Sequence, residues 1–142
     1  TNAGRAQIVG LNLHQRWRLL PWLSLRARAD WLEARDRSDG PFRNKRLPGR
    51  PEWVLDLGLD ATHGRWAWGY AFRYEDGAFY DSPNLLQAPS VRLHDLSLSV
   101  ALPAGLSLQF QALNLSENRH ARFNGFPEPG RQYRADFHLL FD

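Results

Sequence analysis

The stretch Leu106–Asp142, LSLQFQALNLSENRHARFNGFPEPGRQYRADFHLLFD, decides the fold of this chain. It opens with a run in which Leu106, Leu108, Phe110 and Ala112 alternate with Ser107, Gln109 and Gln111. A polar loop carrying Gly125, Pro127, Pro129 and Gly130 follows, and a second alternating run, Tyr133 to Phe141, closes the chain. Successive side chains of a strand point to opposite faces, so each run reads as a strand with one apolar face. On the last strand the opposite face carries Arg134, Asp136 and His138. A strand of this kind needs a neighbour on each side to pair its backbone.

The same alternation runs through the rest of the chain. Val9, Leu11, Leu13 and Trp17 share a face, with Ile8 out of pattern. Leu23, Leu25, Ala27, Ala29 and Trp31 then alternate with Ser24, Arg26, Arg28 and Asp30. After Trp53, Leu55, Leu57, Leu59 and Ala61 oppose Asp56, Gly58 and Asp60. Trp66, Trp68, Tyr70, Phe72 and Tyr74 form the next apolar face, and Leu96, Leu98 and Val100 the one after it. The spacing predicts about seven antiparallel strands. Links at 18–21, 62–64 and 103–105 are short, while those at 36–51, 76–90 and 116–130 are long and rich in polar turn residues. Short turns at one end and long loops at the other are the pattern of an outer-membrane barrel.

The aromatics test that reading independently. Trp17, Trp22, Trp66, Trp68 and Phe141 cluster at the short-turn end, while Trp31, Trp53, Tyr74 and Tyr133 cluster at the long-loop end. Two girdles are expected where amphipathic rings settle at both membrane–water interfaces. The other face is charged, so it must meet water or a polar partner. Seven strands cannot close an up-and-down antiparallel barrel, which takes an even number, and open edges are not tolerated in lipid. The expected architecture is therefore an all-β, up-and-down meander of about seven transmembrane strands, the closing part of a larger barrel. Residues 1–142 are read as one barrel segment.

Composition bounds the alternatives. The 142 residues contain 43% hydrophobic and 23% charged residues, which suits an ordered chain. No window approaches the ~18 uncharged apolar residues of a membrane helix, a test that does not touch β-barrels. With no cysteine, neither disulfides nor thiolate metal sites can form. The formal charge of +3 comes mostly from scattered arginines rather than the concentrated stripe of a nucleic-acid binder, so no nucleic-acid partner is expected. The chain opens on Thr1, contains no methionine and has no signal segment at its front, and is expected to be a piece of something longer.

At Asn114-Leu115-Ser116-Glu117-Asn118, then Gly125-Phe126-Pro127-Glu128-Pro129-Gly130-Arg131 and the aromatic closing strand, the sequence resembles the C-terminal end of a TonB-dependent outer-membrane receptor. Leu47-Pro48-Gly49-Arg50-Pro51 before the third strand fits as well. The resemblance implies a barrel of twenty-two strands with a filled lumen, of which these would be the last seven. It implies energised uptake of a scarce ligand, of the iron–siderophore, cobalamin or glycan class, across the bacterial outer membrane. The implied partners are outer-membrane lipid and lipopolysaccharide, the remaining barrel and plug, the TonB complex acting through that plug, and the barrel-assembly machinery. The family's plug and earlier strands have no counterpart in this sequence. Two other readings stay open: a soluble all-β ligand- or carbohydrate-binding module, and a plugless porin-type barrel.

Site residues follow from this placement. In the long loops, Arg43, Lys45, Arg46 and Arg50 would meet an anionic ligand or lipopolysaccharide phosphate, and Phe79, Tyr80, His120, Arg122 and Phe123 would stack on an aromatic chelator. The plainer reading of both groups is a solvated loop. Arg26, Arg28, Asp30, Asp56, Arg73 and Asp136 are expected to line the lumen, pairing with each other or the plug. Tyr133, Phe137, Leu139 and Phe141 resemble the C-terminal signal read by the assembly machinery, and are equally lipid-facing residues. His14, His63, His94, His120 and His138 never show metal-ligand spacing, and no nucleophile motif is present, so no catalytic residue, cofactor or metal is expected.

Overall fold

Every strand of the main sheet pairs with its neighbour in sequence, the arrangement that alternating runs joined by turns produce most directly. The computed structural model describes residues 4–139, with the backbone alone described for Arg122 and Phe123. The sheet is built from β1 (Ala6–Leu20), β2 (Leu23–Asp36), β3 (Trp53–His63), β4 (Trp66–Asp76), β5 (Val91–Ala101), β6 (Leu106–Leu113) and β9 (Gln132–Leu139). Two short strands, β7 (Ala121–Phe123) and β8 (Phe126–Pro127), pair with each other inside the last long loop. The sheet order is β1-β2-β3-β4-β5-β6-β9, with all neighbours antiparallel. This is the expected seven-stranded meander, with the β7–β8 hairpin as an addition.

Turn chemistry explains the short end. Only Gly64 and Arg65 separate His63 from its partner Trp66. Gly64 has φ +57° and takes the first central position, the place a type II′ hairpin reserves for glycine. At the first turn β1 runs through Leu20, with a register shift between Arg18 and Leu20. Residues 18–20, expected as part of a link, therefore belong to the strand, because the bulge lets pairing continue past the irregularity.

The register sorts the side chains into rows. Trp17, Leu25, Leu59, Tyr70, Leu96, Ala112 and Tyr133 lie side by side across the seven strands. One residue along each strand, on the opposite face, stand Arg18, Ser24, Asp60, Gly69, Ser97, Gln111 and Arg134. One face is apolar and the other polar from edge to edge.

Among the described residues nothing covers the apolar face. Among the described residues only Ala34, Val91 and Val100 are buried hydrophobics, while Leu11 is 69% and Phe137 65% exposed. A soluble sandwich would need Leu23, Leu25, Leu55 and Leu57 in a core. Leu55 and Leu57 are exposed and Leu23 and Leu25 only half-buried, because this sheet has no second layer. That reading is overturned by the fold. Strands β3, β4 and β5 have 11 residues each. Such a strand is about 36 Å long, and at a tilt near 45° it rises about 26 Å, close to the ~25 Å apolar band of a membrane barrel.

Candidate functional site

The polar face is a ladder of paired charges. Arg26 donates through Nε and Nη2 to the two carboxylate oxygens of Asp60, at 2.7 and 3.0 Å. Its guanidinium crosses β3 at Gly58, where an added Cβ would stand 3.1 Å from Nη2. Arg28 meets Asp30 at 2.7 Å, and the Asn12 amide donates to the same carboxylate. Arg73 joins two acids, Glu75 at 2.5 Å through Nε and Asp56 at 3.2 Å through Nη1. Asp136 lies on this face opposite Gln109. These pairs are part-exposed, so each contributes only about 0.2–1 kcal/mol. Their consequence is a wet, charge-balanced wall.

At one end of the wall the long loops bond to one another. Arg46 donates its backbone N–H to Asn84 Oδ1 at 2.7 Å, and Asn84 Nδ2 returns a bond to the Arg46 carbonyl at 2.9 Å. The Arg46 guanidinium meets Glu52 at 2.9 Å and sits 6.0 Å from the Phe79 ring centroid. Gly49 N–H donates to the Phe79 carbonyl at 2.8 Å. The Tyr80 hydroxyl donates to the Ala121 carbonyl at 2.8 Å, tying the second long loop to the third. Asn114 anchors the third loop from a buried position at φ +51°. Its Nδ2 donates to the carbonyls of Asn118 and Pro129 at 2.9 and 3.3 Å, and its Oδ1 accepts the Asn118 N–H at 2.9 Å.

Beneath these loops lies a cavity of about 440 Å³ whose lining includes Arg73, Glu75, Phe79, Tyr80, Val91 and His120. Nδ1 of His120 is buried without a hydrogen-bond partner among the described residues. Leaving such an atom unsatisfied costs about 1–3 kcal/mol, so it marks a place for water or a ligand group. Aromatic rings, a cation, an acid and the His120 imidazole thus line one space.

The loop residues singled out from the sequence divide here. Phe79, Tyr80 and His120 share the cavity, and Arg46 stands behind Phe79. Arg43, Lys45 and Arg50 are elsewhere: all three are exposed, and Arg43 faces Asp39 at 3.4 Å. The four cations do not form one patch, because residue 46 bridges Arg35 and turns inward while its neighbours follow the turn outward. The side chains of Arg122 and Phe123 lie outside the described set. Glu75, Asn84 and Asn114 were not singled out as site residues, although two asparagines at positive φ in polar loops carry a recognisable turn signal. On the apolar face of the edge strand, Tyr133, Phe137 and Leu139 are 72%, 65% and 45% exposed, and Phe141 lies outside the described residues. No group of three metal-ligating side chains occurs among the described residues.

Comparison with known proteins bears on this architecture. Residues 1–115 match the family model described as TonB dependent receptor-like, beta-barrel. The ferric citrate transporter FecA in its unliganded form superposes with a TM-score of 0.84 at 19% identity, over 94% of this chain and 24% of that one. The siderophore receptor PiuA from Acinetobacter baumannii gives 0.82 at 17% identity, over 94% and 22%. The ferric yersiniabactin uptake receptor FyuA from Yersinia pestis gives 0.78 at 18% identity, over 95% and 22%. At these identities the likeness is one of fold, and the chain spans less than a quarter of the length of these structures. The comparison with curated protein sequences gives no match. The family match stops at Leu115, before the closing loop and strand, whereas the structural matches, at 94% of the chain or more, run on past it. A family match over most of its length, on a sheet of this topology, makes this chain a member of the TonB-dependent receptor-like β-barrel family.

Proposed function

We propose that residues 1–142 form the C-terminal wall of a bacterial outer-membrane receptor that takes up a scarce ligand with energy supplied through TonB. The observation that carries the reading is the single-layer sheet: an uncovered apolar face, a charge-paired polar face, and all long loops at one end. In lipid, β1 and β9 each need a further strand, since an unpaired backbone group there costs several kcal/mol. The rest of the same barrel supplies those strands. The polar face then lines the lumen against a plug, the partner through which TonB acts. The apolar edge formed by Tyr133, Phe137 and Leu139 is the surface offered to the barrel-assembly machinery. The cavity holding Phe79, Tyr80 and His120 is the ligand-contacting part of this wall, with Arg73 and Glu75 at its base.

The ligand class is an iron–siderophore, cobalamin or a glycan. The test carries the whole receptor in a strain lacking its own uptake systems, supplied in turn with ferric siderophores, cobalamin or a maltodextrin as the limiting nutrient. Growth on one of them, lost when TonB is deleted, is the expected result. Growth on all of them without TonB would identify a passive pore instead. Replacing Phe79, Tyr80 and His120 together by alanine is expected to raise the ligand concentration for half-maximal uptake about tenfold or more, the worth of losing two modest contacts. Unchanged uptake would remove the cavity from the ligand's path.

A further inference from the structure

The apolar face carries one arginine that no carboxylate pairs with among the described residues. On this face of the described strands stand two arginines. Arg35 pairs with Glu33 at 2.6 Å. Among the described residues Arg92 has no carboxylate within ion-pair distance. Its guanidinium lies 5.8 Å from the centroid of Tyr74, at the long-loop end of β4, and hydrogen-bonds that side chain, whose hydroxyl also donates to Asp76. Nearby Arg131 is already answered, bonding the Leu115 carbonyl at 2.9 Å and approaching Glu117 at 3.9 Å. A cation at a lipid-facing position is costly unless an anion meets it, and guanidinium is the side chain best suited to phosphate.

Further along the same face of β5 the surface changes character. His94 is occupied internally, with Nδ1 2.8 Å from the Tyr70 hydroxyl and its ring 4.9 Å from Phe72. Four residues beyond Arg92, about 13 Å along the strand, Leu96 begins an apolar trough of about 670 Å³. Its floor is small, formed by Ala112 and Ala135, and its walls are large, including Trp68, Leu98, Phe110 and Tyr133. A cation over an aromatic ring at the loop end, with an apolar trough leading away from it toward mid-strand, has the polarity of an anionic lipid.

We propose that Arg92 and this trough form a binding site for a phosphorylated glycolipid of the lipopolysaccharide type. Its phosphate sits on Arg92 and one acyl chain lies over Ala112 and Ala135. The inference rests on the reading that this face meets lipid. It assigns to the outer wall the phosphate contact that the sequence suggested for the loop cations Arg43, Lys45, Arg46 and Arg50.

The test uses the whole receptor purified in neutral detergent, with retained lipid counted by native mass spectrometry after incubation with bisphosphorylated lipid A, its dephosphorylated form, or phosphatidylethanolamine. Wild type is expected to prefer the phosphorylated form by about tenfold, the scale of one charge-assisted contact. Arg92→Ala should erase that preference and Arg92→Lys should keep part of it. Arg65→Ala, which removes a cation over Trp66 at the opposite end, should change nothing. Ala112→Phe should weaken all three lipids alike by filling the trough. Insertion of each variant is checked by heat-dependent gel mobility, and the wild-type comparison of the two lipid A forms stands whether or not a variant inserts. No wild-type preference, or a preference surviving in Arg92→Ala, overturns the site. A receptor that is soluble and monomeric without detergent overturns the lipid-facing reading itself.

Discussion

The two faces of the sheet share every strand and nearly every backbone bond, yet they solve opposite problems. On one, Arg26 with Asp60, Arg28 with Asp30, and Arg73 with Asp56 and Glu75 balance charge locally. On the other, large apolar side chains from six of the seven strands are exposed and those of β2 are only half-buried. A soluble protein buries its apolar face against a second layer and leaves its charges to water. Here many of the charges are paired with one another and the apolar face is bare, so the two surfaces are matched to two different solvents. The surroundings, rather than an internal core, complete this fold.

The strongest way to break that contrast is to exchange the character of the faces at mid-strand. Leu57→Arg places a cation in the centre of the apolar face of β3, where a lipid-exposed arginine costs about 2–4 kcal/mol. Gln109→Arg adds the same charge to the polar face, between Ser99 and Asp136, and should change stability by no more than about 0.5 kcal/mol. Urea titration of the receptor in liposomes reads both. Equal costs would mean that the faces do not see different solvents.

Asn114→Ala probes how the loop end is held to the strands. The asparagine is buried, its amide bonds two carbonyls, and its backbone lies at positive φ, which alanine tolerates poorly. The expected cost is about 1–3 kcal/mol, confined to the third long loop. Limited proteolysis should therefore show faster cleavage between residues 116 and 130 while the heat-dependent gel shift of the barrel is kept. Loss of the whole fold would show that the loop and the wall are one cooperative unit.

The strands were legible because a period of two is written directly in residues such as Leu55, Leu57 and Leu59 against Asp56, Gly58 and Asp60. Sorting of loop lengths then supplied topology. Even the lining of the polar face could be read residue by residue from parity. The loop end was not legible in the same way. Tyr80 meets Ala121, and Arg46 meets Asn84, across 41 and 38 residues of sequence, so nothing local announces either contact. Arg46 looked like its neighbours Arg43 and Lys45 until a backbone bridge turned it inward. Nor did parity warn that Arg92 would matter, because a lone cation on an apolar face reads as noise until its partners are counted.

A smaller effect tests whether the ladder on the polar face is fixed or fluid. Arg73→Ala removes the link between Asp56 and Glu75, leaving two part-exposed carboxylates without their shared cation. With its side chain 44% exposed, the expected loss is under about 1 kcal/mol. Because the same side chain lines the loop cavity, uptake should fall more than stability does. A stability loss that accounts for all of the lost uptake would reduce Arg73 to a wall residue.

The finest test is Gly58→Ala, where two small terms oppose each other. Alanine restricts the unfolded chain more than glycine does, a gain of about 0.4–1 kcal/mol where the native backbone accepts it. Gly58 shows no positive φ, so that condition holds. Against the gain, the new Cβ would stand 3.1 Å from Nη2 and 3.2 Å from Cζ of Arg26. The guanidinium is the far end of a flexible side chain, so it can give by a few tenths of an ångström and keep Asp60. The net change is then expected within about 0.5 kcal/mol of zero, with the sign set by how freely Arg26 moves. A loss well beyond that in urea titration would mean that Arg26 and Asp60 are locked in place. The polar face would then resemble a packed interface more than a solvated wall, and much of its contrast with the apolar face would disappear.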